Sequence, residues 1–298
     1  MKMRNWIILS IASLFFLGCT GLVSSKSTGV NTPDDQRPQG NDAFETGSYE
    51  LVVLPDQQVA KIISLLEHAQ TSLQLSMFHL SQNDIVSEII RLAQKGVQIQ
   101  IILDQTILKE PSSQLALLRL KQSPGHENIE VRPSSSGFSI THTKAFLIDR
   151  KQLMISTINF SNAISYSRDF GIIYDDPSDI AEFERVFAND WQLSGTNSNT
   201  TPTLNSPNLV WSPVNSKSKI VQLIQQSKKS LDVEIENLGA PDVQNAFLDA
   251  VRRGVRVRLV MSLCSPVGPN NNWKYMDALV AGGVQLRAMP EAHDQLHP

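Results

Sequence analysis

Ile140-Thr141-His142-Thr143-Lys144-Ala145-Phe146-Leu147-Ile148-Asp149, followed after six residues by Ser156-Thr157-Ile158-Asn159, is the stretch on which the reading of the chain turns. Polar and apolar residues alternate at its start, then Ala145 to Ile148 is continuously apolar, the pattern of a strand entering a buried sheet from an exposed edge. Residues two apart on a strand share a face, which points His142 and Lys144 into one space. An imidazole can attack phosphorus, and an ammonium beside it can hold the phosphoryl oxygens whose negative charge grows in the transition state. The Asn159 amide and the hydroxyls of Ser156 and Thr157 add neutral donors for the same oxygens.

A lone His-x-Lys on a strand is ordinarily a solvated edge. Here His142, Lys144, Asp149 and Asn159 stand in one register around an apolar strand core, and that register resembles the signature of the phospholipase D superfamily of phosphodiesterases. The resemblance implies a reaction without metal or cofactor. One His forms a phosphohistidine intermediate, the other protonates the leaving alcohol and then activates water, Lys144 and Asn159 bind phosphate, and Asp149 orients or charges a His. One departure is that Ser156-Thr157 stands where the family usually has Gly-Ser, which predicts a tighter turn.

The flanks predict α/β layers. A strand at 50–55, a helix at 58–70, a strand at 72–80, a helix at 83–94 with Ser81, Asn83 or Asp84 as its cap, a stop at Gly96 and a buried strand at 97–103 follow one another. The order recurs 158 residues later: Ser72-Leu73 lies over Ser230-Leu231, Asp84-Ile85 over Asp242-Val243 and Gly96-Val97 over Gly254-Val255. Paired glycines in register with apolar positions argue for an internal duplication. The expected fold is therefore α/β, two tandem phospholipase D-like repeats, each a mixed sheet flanked by helices, packed about a pseudo-two-fold axis with the second incomplete. The repeats are placed at 49–195 and 209–298, joined by a linker at 196–208.

The N-terminus is of another kind. Lys2 and Arg4 precede an apolar run closed by Phe16-Leu17-Gly18-Cys19, too short to cross a bilayer core but suited to a signal peptide. Its ending resembles the lipobox of bacterial lipoproteins, so residues 1–18 are read as a signal, Cys19 as the lipidated first mature residue, and 19–48, rich in Ser, Thr, Gly, Asn and Pro, as a flexible tether. Export to the bacterial cell envelope follows, with the membrane as a partner through Cys19. Removing Lys2 and Arg4 leaves 24 of the 26 basic residues against 29 acidic ones. That balance and the lack of a basic run count against a dedicated nucleic-acid binder. Cys264 then has no partner, and the fold does not rest on a disulfide.

At the repeat offset a second His belongs near position 300, and His297 lies three residues short of it, a shift that one shorter loop produces. His297 is thus expected to open a second motif that the sequence cuts. Weaker candidates are Asp104, which strand-end position makes a turn cap, and Glu234 and Glu236, either of which could order a catalytic Lys although a solvated strand face is the plainer reading. His68, His79 and His126 have no partners at metal-ligand spacing. The function expected is hydrolysis of phospholipid phosphodiesters. Alternatives are phosphatidyl transfer of the cardiolipin synthase type, metal-independent nucleic-acid cleavage, and an inactive surface lipoprotein that keeps the fold; no obligate protein partner is evident.

Overall fold

The computed structural model describes residues 49–262 and 272–289. Cys19, Cys264 and His297, with the signal and tether segments, lie outside the described residues.

The first unit runs β1 (Glu50–Leu54), α1 (Gln58–Leu66), β2 (Ser72–Met77), α2 (Asn83–Gln94), β3 (Gln98–Leu103), α3 (Pro111–Gln122), β4 (Ile129–Pro133), β5 (Lys144–Ile148), β6 (Gln152–Ser156), β7 (Asp169–Tyr174) and α4 (Pro177–Leu193). Its seven strands lie in the order β1-β7-β6-β5-β2-β3-β4. β2, β3 and β4 are parallel, as strands joined through helices must be, and the rest pair antiparallel. β5 is the middle strand, and all five of its residues are buried. Its alternation divides two cores. Phe146 and Ile148 join Leu73, Leu75, Ile99 and Ile101 beneath α1, α2 and α3, while Ala145 and Leu147 join Leu153 beneath Ile180, Phe183 and Phe187 of α4. A strand covered on both faces has no polar side, which is why its sequence reads as a continuous apolar run.

Local details depart from the sequence expectation for identifiable reasons. The first helix ends at Leu66 and not near residue 70, because the amides of Gln70, Thr71 and Ser72 are taken by the Asp149 carboxylate. α2 is capped by Gln82, whose side chain accepts from Ile85 N at 2.8 Å, and not by Ser81, Asn83 or Asp84. It stops where expected: Gly96 has φ +90°, a left-handed position that suits glycine alone.

The second unit runs α5 (Ser216–Gln226), β8 (Ser230–Ile235), α6 (Pro241–Arg252), β9 (Arg256–Met261), α7 (Trp273–Ala281) and β10 (Gln285–Ala288). Its three strands are parallel in the order β10-β9-β8. Local geometry recurs with the sequence offset. Ser72 pairs with Gln98 as Ser230 pairs with Arg256, and Gly254 ends α6 at φ +86° as Gly96 ends α2. Ile101 lies opposite Val131, and its counterpart Leu259 lies opposite Leu286, so the connection from β9 to β10 is three residues shorter than that from β3 to β4.

The segment expected as a plain linker is fastened at its end. Glu182 and Asp179 of α4 are fully or almost fully buried, and they accept from Asn205 N, Ser206 N, Trp211 Nε1, Ser206 Oγ and Asn208 Nδ2. From the other side Lys219 of α5 donates to the carbonyls of Ser206 and Leu209 at 2.8 and 2.7 Å. Buried carboxylates persist only when their acceptors are filled, and here backbone donors with Trp211 fill Glu182 while side-chain donors fill Asp179.

Candidate active site

Five strand ends meet on one side of the large sheet: the C-terminal ends of β2, β3 and β6 and the N-terminal ends of β5 and β7. The carboxyl ends of parallel strands are where open α/β sheets bind ligands. The first half of the sequence motif lies at these strand ends. β5 starts at Lys144, so His142 precedes the strand and is exposed, while Lys144 is buried at 4% exposure. The expected common face therefore becomes a rim and a floor: an imidazole open to solvent above an amine sunk among carboxylates.

Phe78, just past β2, organises the pair. Its ring meets the His142 ring edge-on, with centroids 4.6 Å apart at 61°, and the Lys144 Nζ lies 5.2 Å from the same ring centroid. Phe78 N donates to Thr143 O at 2.9 Å, and Lys144 Nζ donates to His142 O at 3.1 Å. Burial pushes the pKa of Lys144 down from its ordinary 10.5 to about 7, against the pull of the carboxylates of Asp169, Glu236 and Asp104. The amine is thus poised to gain a proton when an anion arrives.

Asp169, at the start of β7, was not foreseen in this role. It is 2% exposed and accepts from Thr157 Oγ1 at 2.6 Å and from Ser167 Oγ at 2.5 Å. It heads the carboxylates acting on Lys144. The sequence signal for it was slight: an Asp between Arg168 and an apolar strand, whose position beside β5 depends on the antiparallel return of β6 and β7. Glu236, a candidate partner for a Lys, follows β8 and brings a charge from the second unit to bear on Lys144.

Other expected residues take structural places. Asp149 does not approach His142. It lies just past the far end of β5, about 17 Å along the strand from Lys144 at ~3.3 Å per residue. Its carboxylate accepts from Gln70 N, Thr71 N and Ser72 N at 2.9, 2.7 and 2.9 Å. Ser156 and Thr157 also differ from expectation. The Ser156 hydroxyl donates to Lys144 O at 3.1 Å, and the Thr157 hydroxyl donates to Asp169, so both protons are held inside the chain and the two residues frame the site. Asn159 is 2% exposed, beside the bridge that joins Phe160 to Leu80. Among the described residues no three His, Cys, Asp or Glu are grouped to hold a metal ion.

Comparison with known proteins converges on this region. The family described as "Cardiolipin synthase, PLD-like domain" matches residues 62–191. The mitochondrial cardiolipin hydrolase of Danio rerio is 28% identical over 134 residues, covering 44% of this chain and 56% of that protein. A phospholipase D of Rickettsia felis is 23% identical over 195 residues, covering 61% of this chain and 94% of that one. The chain therefore spans little more than half of the first relative and nearly all of the second. Among solved structures, the phosphatidylserine synthase of Haemophilus influenzae superposes with a TM-score of 0.59 at 14% identity, over 83% of this chain and 73% of that one, a likeness of fold. Residues 62–191, which carry both His142 and Lys144, are therefore a phospholipase D-like domain.

Proposed function

We propose that the protein is a phospholipid phosphodiesterase working through a covalent histidine intermediate. The observation that carries this reading is the exposed His142 imidazole standing over a buried amine whose pKa burial has brought to about 7. A phosphodiester anion seated there raises the proton affinity of Lys144, whose ammonium then neutralises the equatorial oxygens as phosphorus is attacked. An imidazole nitrogen bonds to phosphorus, the ester P–O bond breaks, and the leaving alkoxide takes a proton from a second imidazole. That group, returned to its basic form, deprotonates a water that displaces the histidine from phosphorus. Asn159 adds a neutral donor. Asp169, buried beside Lys144, favours the charged form of that amine.

His297 is the second histidine in this reading. The three-residue shortening between β9 and β10 supports it, since the same offset carries position 142 onto 297. Residues 1–18 act as an export signal and Cys19 as a lipid anchor, which holds the catalytic body at a bacterial membrane where its substrate lies. Transfer of the phosphatidyl group to an alcohol in place of water is the second reading, favoured by the cardiolipin synthase description of the matched family.

The test is head-group release from phosphatidyl lipid vesicles by the full chain, beside nicking of plasmid DNA, each with and without EDTA and with added glycerol to trap transfer. Lipid turnover that survives EDTA and disappears in His142→Asn, with unchanged circular dichroism, is expected. Turnover retained in His142→Asn, or cleavage of DNA alone, overturns the proposal.

A further inference from the structure

Asp104 stands at the end of β3 with 0% exposure, and the mechanism above uses it for nothing but its charge. Its Oδ1 accepts from Thr106 N at 2.8 Å and from the Thr106 hydroxyl, the local turn that a strand-end Asp ordinarily makes. Its Oδ2 does something the turn does not require. It accepts from Thr141 N at 2.5 Å, across 37 residues of sequence. Thr141 immediately precedes His142, and Thr143, which follows it, is held through its carbonyl by Phe78 N. His142 itself lies outside any regular element, in the connection between β4 and β5. The two residues flanking it are therefore gripped from two different strands, β3 and β2, and no helix or ladder does that work.

We propose that Asp104 is a positioning residue for the reaction: by holding the Thr141 N–H from the end of β3 it fixes the backbone on which His142 presents its imidazole. The inference rests on reading His142 as the reacting group. Burial makes the grip strong, because an N–H bonded to a carboxylate out of water has no competing partner. Asp104 is also among the carboxylates that keep the Lys144 amine basic, so its loss acts on both members of the pair.

The experiment compares the full chain with Asp104→Asn and Thr106→Val. An Asn keeps the acceptor that the local turn to Thr106 uses and turns its N–H toward Thr141 N, which releases the grip on Thr141. Thr106→Val removes the hydroxyl bond and leaves the Thr141 grip. Asp104→Asn is expected to lose about 100-fold in kcat, the order of loss that a 1 Å misplacement produces. KM should change little, amide exchange over 138–143 should quicken by about tenfold or more, and the alkaline limb of the kcat/KM profile should move to lower pH. Thr106→Val should keep kcat and the exchange pattern while losing some stability. Unchanged exchange over 138–143 in Asp104→Asn, or an equal loss of kcat in Thr106→Val, overturns the proposal. A further measurement needs no variant. In the unaltered protein the Thr141 amide should exchange slowly, and exchange there at the rate of an unstructured peptide refutes the grip even if Asp104→Asn fails to fold. Absence of phosphodiester turnover in the unaltered protein counts against the proposed function alone, since the exchange readouts judge the grip separately.

Discussion

Replacing Lys144 by Met should stabilise the protein at neutral and acid pH while abolishing its activity. Burial lowers the amine's pKa from 10.5 to about 7, a gap of about 3.5 pH units. At ~1.4 kcal/mol per pH unit, the charged amine costs the fold on the order of 5 kcal/mol. The direction with pH follows from where the protons sit. Below about pH 7 both the folded and the unfolded chain carry the proton, and the cost is present in full. Between pH 7 and 10.5 the folded protein has released it and the unfolded chain has not, so stability rises with pH through this window. Above 10.5 the contribution is complete and constant. Met has nearly the same length without the charge, so Lys144→Met should gain up to about 5 kcal/mol at pH 6 and about nothing at pH 10. Urea denaturation of both proteins at intervals from pH 6 to 10 measures the difference directly, and other groups that titrate in the range cancel. A difference that does not change with pH, or a variant less stable at pH 6, refutes the reasoning. The cost would be retained because a phosphate ligand turns the same buried amine into a strong anion site, a trade of stability for function.

Removing the Asp149 carboxylate should act on stability and not on chemistry. Asp149→Ala leaves the amides of Gln70, Thr71 and Ser72 without their acceptor, an expected loss of about 1–3 kcal/mol in urea titration, with kcat of the folded fraction unchanged. Burial works against ionisation of Asp149, but the bonds from Ser72, Thr71 and Gln70 outweigh it and lower its pKa. Its contribution is therefore present at neutral pH and is lost as pH falls through the carboxylate range, so the gap between wild type and Asp149→Ala should narrow in acid. Glu182→Gln places an amide N–H against one of the donors that hold the linker, Asn205 N, Ser206 N or Trp211 Nε1. It should destabilise by about 1–3 kcal/mol and shift Trp211 fluorescence toward that of an exposed indole, and an unchanged spectrum and midpoint would show that the latch carries no load.

Much of the chain could be read from residue order because the relevant physics is local. A run of apolar residues with period two, a helix ending in a left-handed glycine at Gly96 and again at Gly254, and a His-x-Lys at the mouth of a buried strand each depend on neighbours a few residues away. Those features sufficed for the α/β class and for the order of elements, and they single out His142 and Lys144. Even the misplacement of Asp149 was open to arithmetic, since five residues of extended chain carry a side chain far beyond the reach of the first.

What the tertiary structure alone decided is which distant groups share the site end of the sheet. Asp169 reaches Lys144 because β6 and β7 turn back beside β5, Asp104 reaches Thr141 because β3 ends where the loop before β5 begins, and Glu236 acts on Lys144 from another unit. Charge in a buried site is set by such neighbours and by the loss of water, and neither is written in the residues adjacent to Lys144. The motif singled out His142 and Lys144; the packing around Lys144 determines the amine's proton affinity.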